Sequence, residues 1–432
     1  MHNAICQAEF ELERECSSAD VLREASPSKV DSFKHHLDTF KFFQKKTLIW
    51  ERDFGEGVQL PVYVNEFWTA KQRQGSRLHE VSYRACFKPQ LPSFFIERLT
   101  RPGDGVYDPF MGRGTTLVEA ALNQRIPMGC DINPLSDVFV SARLELPSIE
   151  DVVQRLAVID FQAVTPDRDD LLVFYHPKTL QEICSLRHYF LTKAEGAGLD
   201  VVDKWIRLVA TNRLTGHSTG FFSVYSLPPN QAVTVKSQQR INAKRNQVPP
   251  RRDVPAIIQK KSKQLLNISA KERETLLAYG KQGKTVIGSC DQTDALQSNS
   301  VDLVVTSPPF LDEVDYRTDN WLRCWFNGID ERTIPMWVLR KPEDWQAKMT
   351  AVLRELKRVL KPGGSIAFEV GEVRKGKVKL EDWVVPAGVA AGLKPELLLI
   401  NSQVFTKTSN CWGVSNLEKG TNSNRIVLFS KL

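Results

Sequence analysis

The chain is expected to be an α/β protein built on a parallel sheet, and three features of its sequence predict this. Short apolar runs recur and end in small or polar residues: 105–110 (GVYDPF), 127–131 (PMGCD), 284–290 (KTVIGSC), 301–306 (VDLVVT) and 365–370 (SIAFEV). Helical patterns lie between them. The composition, 42% hydrophobic and 25% charged over 432 residues, is that of a globular protein with a real core.

Taken in order, residues 30–43 read as an amphipathic helix, with Phe33, Leu37, Phe40 and Phe43 at helical spacing. Residues 1–60 are expected to be an accessory region covering the core. The run ending at Asp108 is the first strand, residues 116–122 the helix after it, and the run ending at Asp131 the second strand. KTVIGSC, VDLVVT and SIAFEV are the third, fourth and fifth. Before the fifth, residues 343–360 place Trp345, Met349, Val352, Leu353, Leu356 and Leu360 on one helix face, and Lys361-Pro362-Gly363-Gly364 stops the helix. Residues 396–402 and 425–429 close the sheet as a hairpin, giving seven strands.

The gap between the second and third strands, residues 147–280, is far longer than a crossover. It is helical at 178–191 and 201–214, then polar and broken by Pro228-Pro229, Pro249-Pro250 and Pro255. We read it as an inserted domain between catalytic-domain segments 61–146 and 281–432. Charge is concentrated there. Residues 236–263 hold nine cations (among them Lys236, Arg240, Lys244, Arg245, Arg251 and Arg252) against one acid, Asp253, so this segment alone exceeds the chain's net +7. A near-neutral body with one basic segment points to a polyanion held at one place. Gln238, Gln239, Asn242, Asn246 and Gln247 lie among the cations and have the chemistry to read base edges.

Two loops carry the chemistry. Asp108-Pro109-Phe110-Met111-Gly112-Arg113-Gly114-Thr115-Thr116 follows the first strand. Its glycines tolerate unusual φ angles and leave no side chain between backbone and ligand. A dinucleotide-binding loop would have a third glycine where this chain has Leu117. The second loop, Thr306-Ser307-Pro308-Pro309-Phe310, follows the fourth strand. Together the two strings resemble the cofactor and catalytic loops of S-adenosylmethionine-dependent methyltransferases that act on exocyclic amines of DNA bases. Ser307 and Phe310 are most similar to the cytosine-N4 branch.

The resemblance implies a Rossmann-like seven-stranded methyltransferase sheet with an inserted target-recognition domain at 147–280. It implies that Asp108, Phe110, Gly112, Gly114 and Thr115 surround S-adenosylmethionine, that Asp131, with Ile132 beside it, takes the ribose hydroxyls, and that Asp291 faces the adenine amine. Residues 83–92 resemble the helix entry behind the methionine end. The Ser307 hydroxyl and Pro308 carbonyl would accept from the target amine, on a backbone stiffened by Pro308 and Pro309, and an extruded base would stack on Phe310. The partner would be duplex DNA, contacted through the basic segment, with a cognate restriction endonuclease in a restriction-modification pair or none for a solitary enzyme. An adenine-N6 enzyme, an RNA amino-methyltransferase and a non-catalytic DNA binder remain as alternatives.

Other classes are disfavoured. The eight cysteines form no C-x-x-C pair and have no zinc spacing with histidine, so no metal is expected. None follows a proline, unlike the nucleophile of cytosine-C5 methyltransferases. No apolar run has membrane-spanning length, and the first residues turn acidic where a signal peptide needs an apolar stretch. A cytoplasmic, DNA-associated protein is therefore expected.

Overall fold

The computed structural model describes residues 28–69, 75–227, 229–311, 315–373, 378–406 and 419–432. Helix α1 (Lys29–Thr39) is capped by the Ser28 side chain and buries Val30, Phe33 and Leu37. It stops short of Phe43, which has a positive φ and stands 86% exposed, so the expected apolar stripe ends a turn early. Strands β1 (Leu48–Asp53) and β2 (Gln59–Asn65) follow, then α2 (Gln90–Leu99), β3 (Gly105–Asp108), α3 (Thr115–Leu122), β4 (Ile126–Asp131) and α4 (Leu135–Leu144).

The long gap is helical: α5 (Ile149–Val158), α6 (Pro177–Glu195), α7 (Val201–Thr211), α8 (Val235–Arg245), α9 (Val254–Leu265) and α10 (Ala270–Gly280). The sheet resumes with β5 (Lys284–Ile287) and β6 (Val301–Thr306). Then come α11 (Tyr316–Phe326), α12 (Pro342–Val359), β7 (Leu360–Val370), α13 (Glu381–Ala390), β8 (Lys394–Thr406) and β9 (Lys419–Ser430).

One sheet of nine strands results, in the order β1-β2-β8-β9-β7-β6-β3-β4-β5. Seven of these are the expected strands, and β8 and β9 pair as the expected antiparallel hairpin. The extra two come from the N-terminal region: β2 pairs parallel with β8, and β1 antiparallel with β2. The accessory region thus does more than cover the core. It extends the sheet, and the expected boundary at residue 60 falls inside β2. Hydropathy patterning did not reveal this because β1 is an edge strand whose Leu48, Ile49 and Trp50 stay exposed.

The central strands alternate between two buried faces, as period-2 geometry requires. Val106, Leu303, Val305, Ile426 and Leu428 face α1 and α2. Tyr107, Val304, Val427 and Phe429 face α12 and α13 with Trp345, Met349 and Leu356. A third cluster joins α3, α4 and α11 to the inserted helices through Leu117, Phe139, Trp205, Ile258 and Leu322. The insertion therefore shares one apolar interior with the helices behind the cofactor loop.

Close helix–sheet contact depends on small residues. A Cβ on Gly388 of α13 would overlap the Phe429 ring of β9. Gly388→Leu is expected to cost about 1–3 kcal/mol by overpacking, measured as a lower midpoint in denaturant with an unchanged slope.

Candidate active site

The two motif loops meet at the C-terminal edge of neighbouring strands, since β3 and β6 pair in parallel. Their junction is buried. Thr306 Oγ1 donates to Asp108 Oδ1 at 2.6 Å, and the Phe110 amide donates to the same oxygen at 3.1 Å. Thr116 Oγ1 donates to the Val305 carbonyl at 3.2 Å. Asp108 thus fastens the cofactor loop to the strand that presents Ser307. Burial pushes its carboxyl up to about 6, against the lowering effect of the Thr306 bond.

Gly112 and Gly114 adopt φ of +47° and +74°. Gly112 turns its amide onto Asp131 Oδ2 at 2.8 Å, while Asn133 N–H takes Oδ1 at 2.9 Å. Asp131 is raised from its usual range by burial, against these amide bonds. The missing third glycine is also explained. Leu117 is fully buried, and Gly129 of β4 makes room for it: a Cβ there would stand 2.8 Å from Leu117 Cδ2.

A cleft opens over these loops. Asp108, Phe110, Gly112, Thr115, Asp131 and Ile132 line it, with residues 83–87, Gly288, Ser289, Ser307 and Pro309. The structure brings together nearly all the residues expected around a cofactor. Gly114 acts through the backbone instead, as the left-handed residue capping α3. Asp291 departs from expectation. Lys348 of α12 takes its Oδ2 at 2.6 Å and the Ser289 hydroxyl bonds Oδ1. Burial would raise this carboxyl, yet these partners hold it below its usual range. Its position is beyond the lining residues 288–290.

Four lining residues were not legible as a group: Tyr83, Tyr316, Met336 and Trp337. Tyr83 and Tyr316 stack with centroids 6.1 Å apart, and Trp337 meets Phe110 edge-on at 6.1 Å. Lys348 lies 4.3 Å from the Trp337 centroid. Apart from Tyr83, they come from the stretch following the Ser307 loop, where aromatics in a polar sequence give no periodic signal.

At the Ser307 loop, the Pro309 carbonyl accepts from Trp345 Nε1 at 2.9 Å. Ser307 and Pro309 reach the cleft, whereas Pro308 is buried. Phe310 packs against the α12 cluster, its ring edge 2.8 Å from where a Gly371 Cβ would stand. The ring expected to stack on a base is half-buried against this cluster and is not among the residues lining the cleft.

The most consequential residue missed is Glu369 of β7. It is buried, accepts from the Asn424 side-chain amide and has the Ser307 hydroxyl as a neighbour, and burial pushes its carboxyl up to about 7 against the lowering effect of both. An acid inside the apolar run SIAFEV was the available signal, because a buried carboxyl requires partners.

The basic segment forms α8, α9 and their connection. Lys236, Arg240, Lys244 and Arg245 are exposed on α8, and Arg245 stacks on Tyr225 at 3.8 Å. Arg251 pairs with Glu182 of α6. The Arg252 amide donates to Thr179 Oγ1 at 2.8 Å, tying this stretch to α6 as well. Gln238 is fully buried and donates to the Tyr225 carbonyl at 3.0 Å, while Asn242 holds the Val173 carbonyl at 2.7 Å. Gln247 also donates to the Tyr225 carbonyl, at 2.9 Å. Gln238 and Gln247 brace the loop before α8 and Asn242 the turn at 169–173, which overturns their expected part in reading bases. Among the described residues no His, Cys, Asp and Glu cluster could hold a metal, and no helix is long and apolar enough to cross a membrane.

Asp108 makes stability pH-dependent. Its raised value means that the native state keeps a proton the unfolded chain releases, so this contribution is lost as pH rises from 3.8 to about 6. Asp108→Asn should flatten that part of the stability profile, read by denaturant titration at several pH values. Thr306→Val should cost about 1–3 kcal/mol by leaving a buried acceptor short of a donor.

Comparison with known proteins adds three findings. Residues 24–135 match a family model for N6 and N4 methylases, described as DNA methylase. A segment of 111 residues is 31% identical to the Type II methyltransferase M.MjaII of Methanocaldococcus jannaschii, covering 26% of this chain and 21% of that protein. The chain thus aligns with about a fifth of its curated relative's length. Among solved structures, the rRNA methyltransferase AviRa of Streptomyces viridochromogenes aligns over 82% of this chain and 90% of its own, at 12% identity and a TM-score of 0.32. A TehB-like SAM-dependent methyltransferase from Corynebacterium glutamicum aligns over 79% and 87%, at 10% identity and a TM-score of 0.28.

Proposed function

We propose that this chain is an S-adenosylmethionine-dependent DNA methyltransferase acting on an exocyclic base amine, with cytosine N4 as the target. The observation that carries the reading is the junction of the Asp108 loop with Ser307 in one cleft, with the buried Glu369 as a neighbour of Ser307. The matched DNA methylase segment, which includes the whole Asp108 loop, supports it.

The cleft fits the cofactor. Gly112 brings backbone against the ligand space, and Asp131 offers a half-buried carboxylate whose remaining lone pairs suit ribose hydroxyls. The group supplies an electrophilic methyl on a sulfonium, and the acids Asp108, Asp131 and Glu369 favour positive charge nearby. The adenine side is bounded by Trp337 and Phe110 and by the backbone of 288–290, rather than by the Asp291 carboxylate.

Ser307 does the chemical work on the substrate side. Turned to the neighbouring Glu369 carboxylate, its hydroxyl would leave oxygen lone pairs to accept an amine hydrogen. As the amine nitrogen bonds to the methyl, it must lose a proton. Ser307 Oγ takes that proton and passes its own to Glu369. A carboxylate with its value near 7 accepts a proton more readily than an ordinary one. Positioning supplies the rest, since the amine needs only to be held in line. With Phe310 half-buried outside the cleft lining, Tyr316 and Tyr83 offer the aromatic surface for the base.

Mass spectrometry of nucleosides from a methylation-free host expressing the chain is expected to find N4-methylcytosine. N6-methyladenine would keep the cofactor site and overturn the choice of base, and this second reading is supported by a family model that spans both amines. No modified base from soluble, folded protein would overturn the enzyme. A restriction endonuclease partner belongs to the same proposal, tested by whether the host DNA becomes resistant to cleavage at the modified motif.

Glu369→Gln and Ser307→Ala should each lower methyl transfer about 100-fold or more without weakening cofactor binding by calorimetry. The wild-type rate should rise as pH climbs through about 7, where Glu369 releases its proton, and Glu369→Gln should lose that limb. Replacing Lys236, Arg240, Lys244 and Arg245 together with Ala should flatten the salt dependence of DNA binding by several counterions, read by fluorescence anisotropy. An unchanged slope would remove α8 from the DNA surface.

A further inference from the structure

Residues 212–234, between α7 and α8, contain no helix or strand among their described positions. Loops of this length in compact domains are usually functional. This one is internally built. Phe222, Ser223 and Ser226 are buried, and the Ser226 amide donates to the Gly216 carbonyl at 2.9 Å, while the tip at 217–220 is exposed. Its far end docks on α11, where Ala232 N–H donates to the Asp319 carbonyl at 2.9 Å and Trp321 Nε1 to the Val233 carbonyl at 3.2 Å. The first residue of α11 is Tyr316, which lines the cofactor cleft.

A second hollow lies between this loop and residues 79–83. Arg113, Arg213, Asn230 and Lys261 line it, and Tyr83 belongs to both hollows, so they share a wall. The hollow is electropositive. Its acid, Glu80, is already paired with Lys261 at 2.7 Å. Arg213 stacks on Phe221 at 4.1 Å, but its Nε is buried without a hydrogen-bond partner. No carboxylate forms an ion pair with it among the described residues. Burial lowers its value to about 10, with Arg323 adding to the effect and Glu80 opposing it. A cation left this way is completed by an anion from outside.

We propose that this hollow is a phosphate site that grips the backbone phosphodiester beside the nucleotide entering the cleft, with Arg213 as its principal donor. The inference rests on reading the cleft as a DNA methyltransferase site. Lys261, paired with Glu80, and Asn230 also line the hollow, and Arg113, whose guanidinium is bonded to the carbonyls of His79, Val81 and Phe87, contributes charge alone. Sequence reasoning put phosphate contacts on the basic segment. This site is separate from α8 and stands next to the chemistry.

The test is equilibrium binding of a mixed-sequence DNA duplex to the full chain saturated with S-adenosylhomocysteine, over a salt series, with methyl-transfer kinetics alongside. Arg213→Ala should weaken binding roughly tenfold, as loss of a charge-assisted hydrogen bond does. It should lower the salt slope by about one counterion. Arg213→Lys should restore the slope. KM for DNA should rise far more than kcat falls, and cofactor affinity should not move. Should Arg213→Ala fail to fold, Lys261→Ala gives the same slope readout. A slope and KM unchanged in folded variants overturn the phosphate site and leave the methyltransferase reading standing. A wild-type protein that binds cofactor but no duplex overturns that reading, and the site with it.

Discussion

The bond between Thr306 and Asp108, 2.6 Å long and buried, is what the rest of the site depends on. It joins residues 198 positions apart in the chain. A lone buried carboxylate would cost several kcal/mol, so Asp108 requires both the Thr306 hydroxyl and the Phe110 amide. Meeting that requirement puts the glycine turn and Ser307 on adjoining strand ends. The bond that stabilises the junction therefore also sets the distance between the glycine turn and Ser307.

Two carboxyl groups line the cleft, a third lies behind Ser307, and they have separate fates. Asp108 is consumed by structure, Asp131 takes two loop amides, and Glu369 is held with its value raised to about 7 by burial. The fourth acid, Asp291, is withdrawn by Lys348. The environments differ through the identity of the donors: hydroxyl and amide, two amides, hydroxyl and side-chain amide, or an ammonium. Only the ammonium keeps its acid below the ordinary range.

Much of this was legible in the sequence. The strand runs, the α12 stripe and the two loops are local patterns, and local patterns survive reading one residue at a time. Asp108, Gly112, Asp131 and Ser307 came from motif strings and occupy one cleft. What escaped depends on distant partners. Whether Phe310 faces a ligand or Gly371 is decided by β7, and whether Asp291 is free is decided by Lys348 on α12. Gln238 and Asn242 look like base readers beside so many cations, yet they hold carbonyls of a loop and a turn that have no ladder to satisfy them. Strands β1 and β2 were hidden because an edge strand and its neighbour lack the continuous apolar run of a central one.

The strand order has a consequence for how the molecule comes into being. Strand β3 lies between β4, which follows it closely, and β6, which is synthesised only after the whole insertion. Strand β2 likewise waits for β8. During translation, β3, buried along its whole length in the finished fold, would present an unpaired edge for as long as the ribosome takes to make the inserted helices. Those helices can fold early on local contacts and pack at once on α3 and α4 through their common interior. The insertion then shields the helical side of a half-built sheet until β6 arrives. Its place in the chain therefore bears on how the first half of the sheet is covered during synthesis.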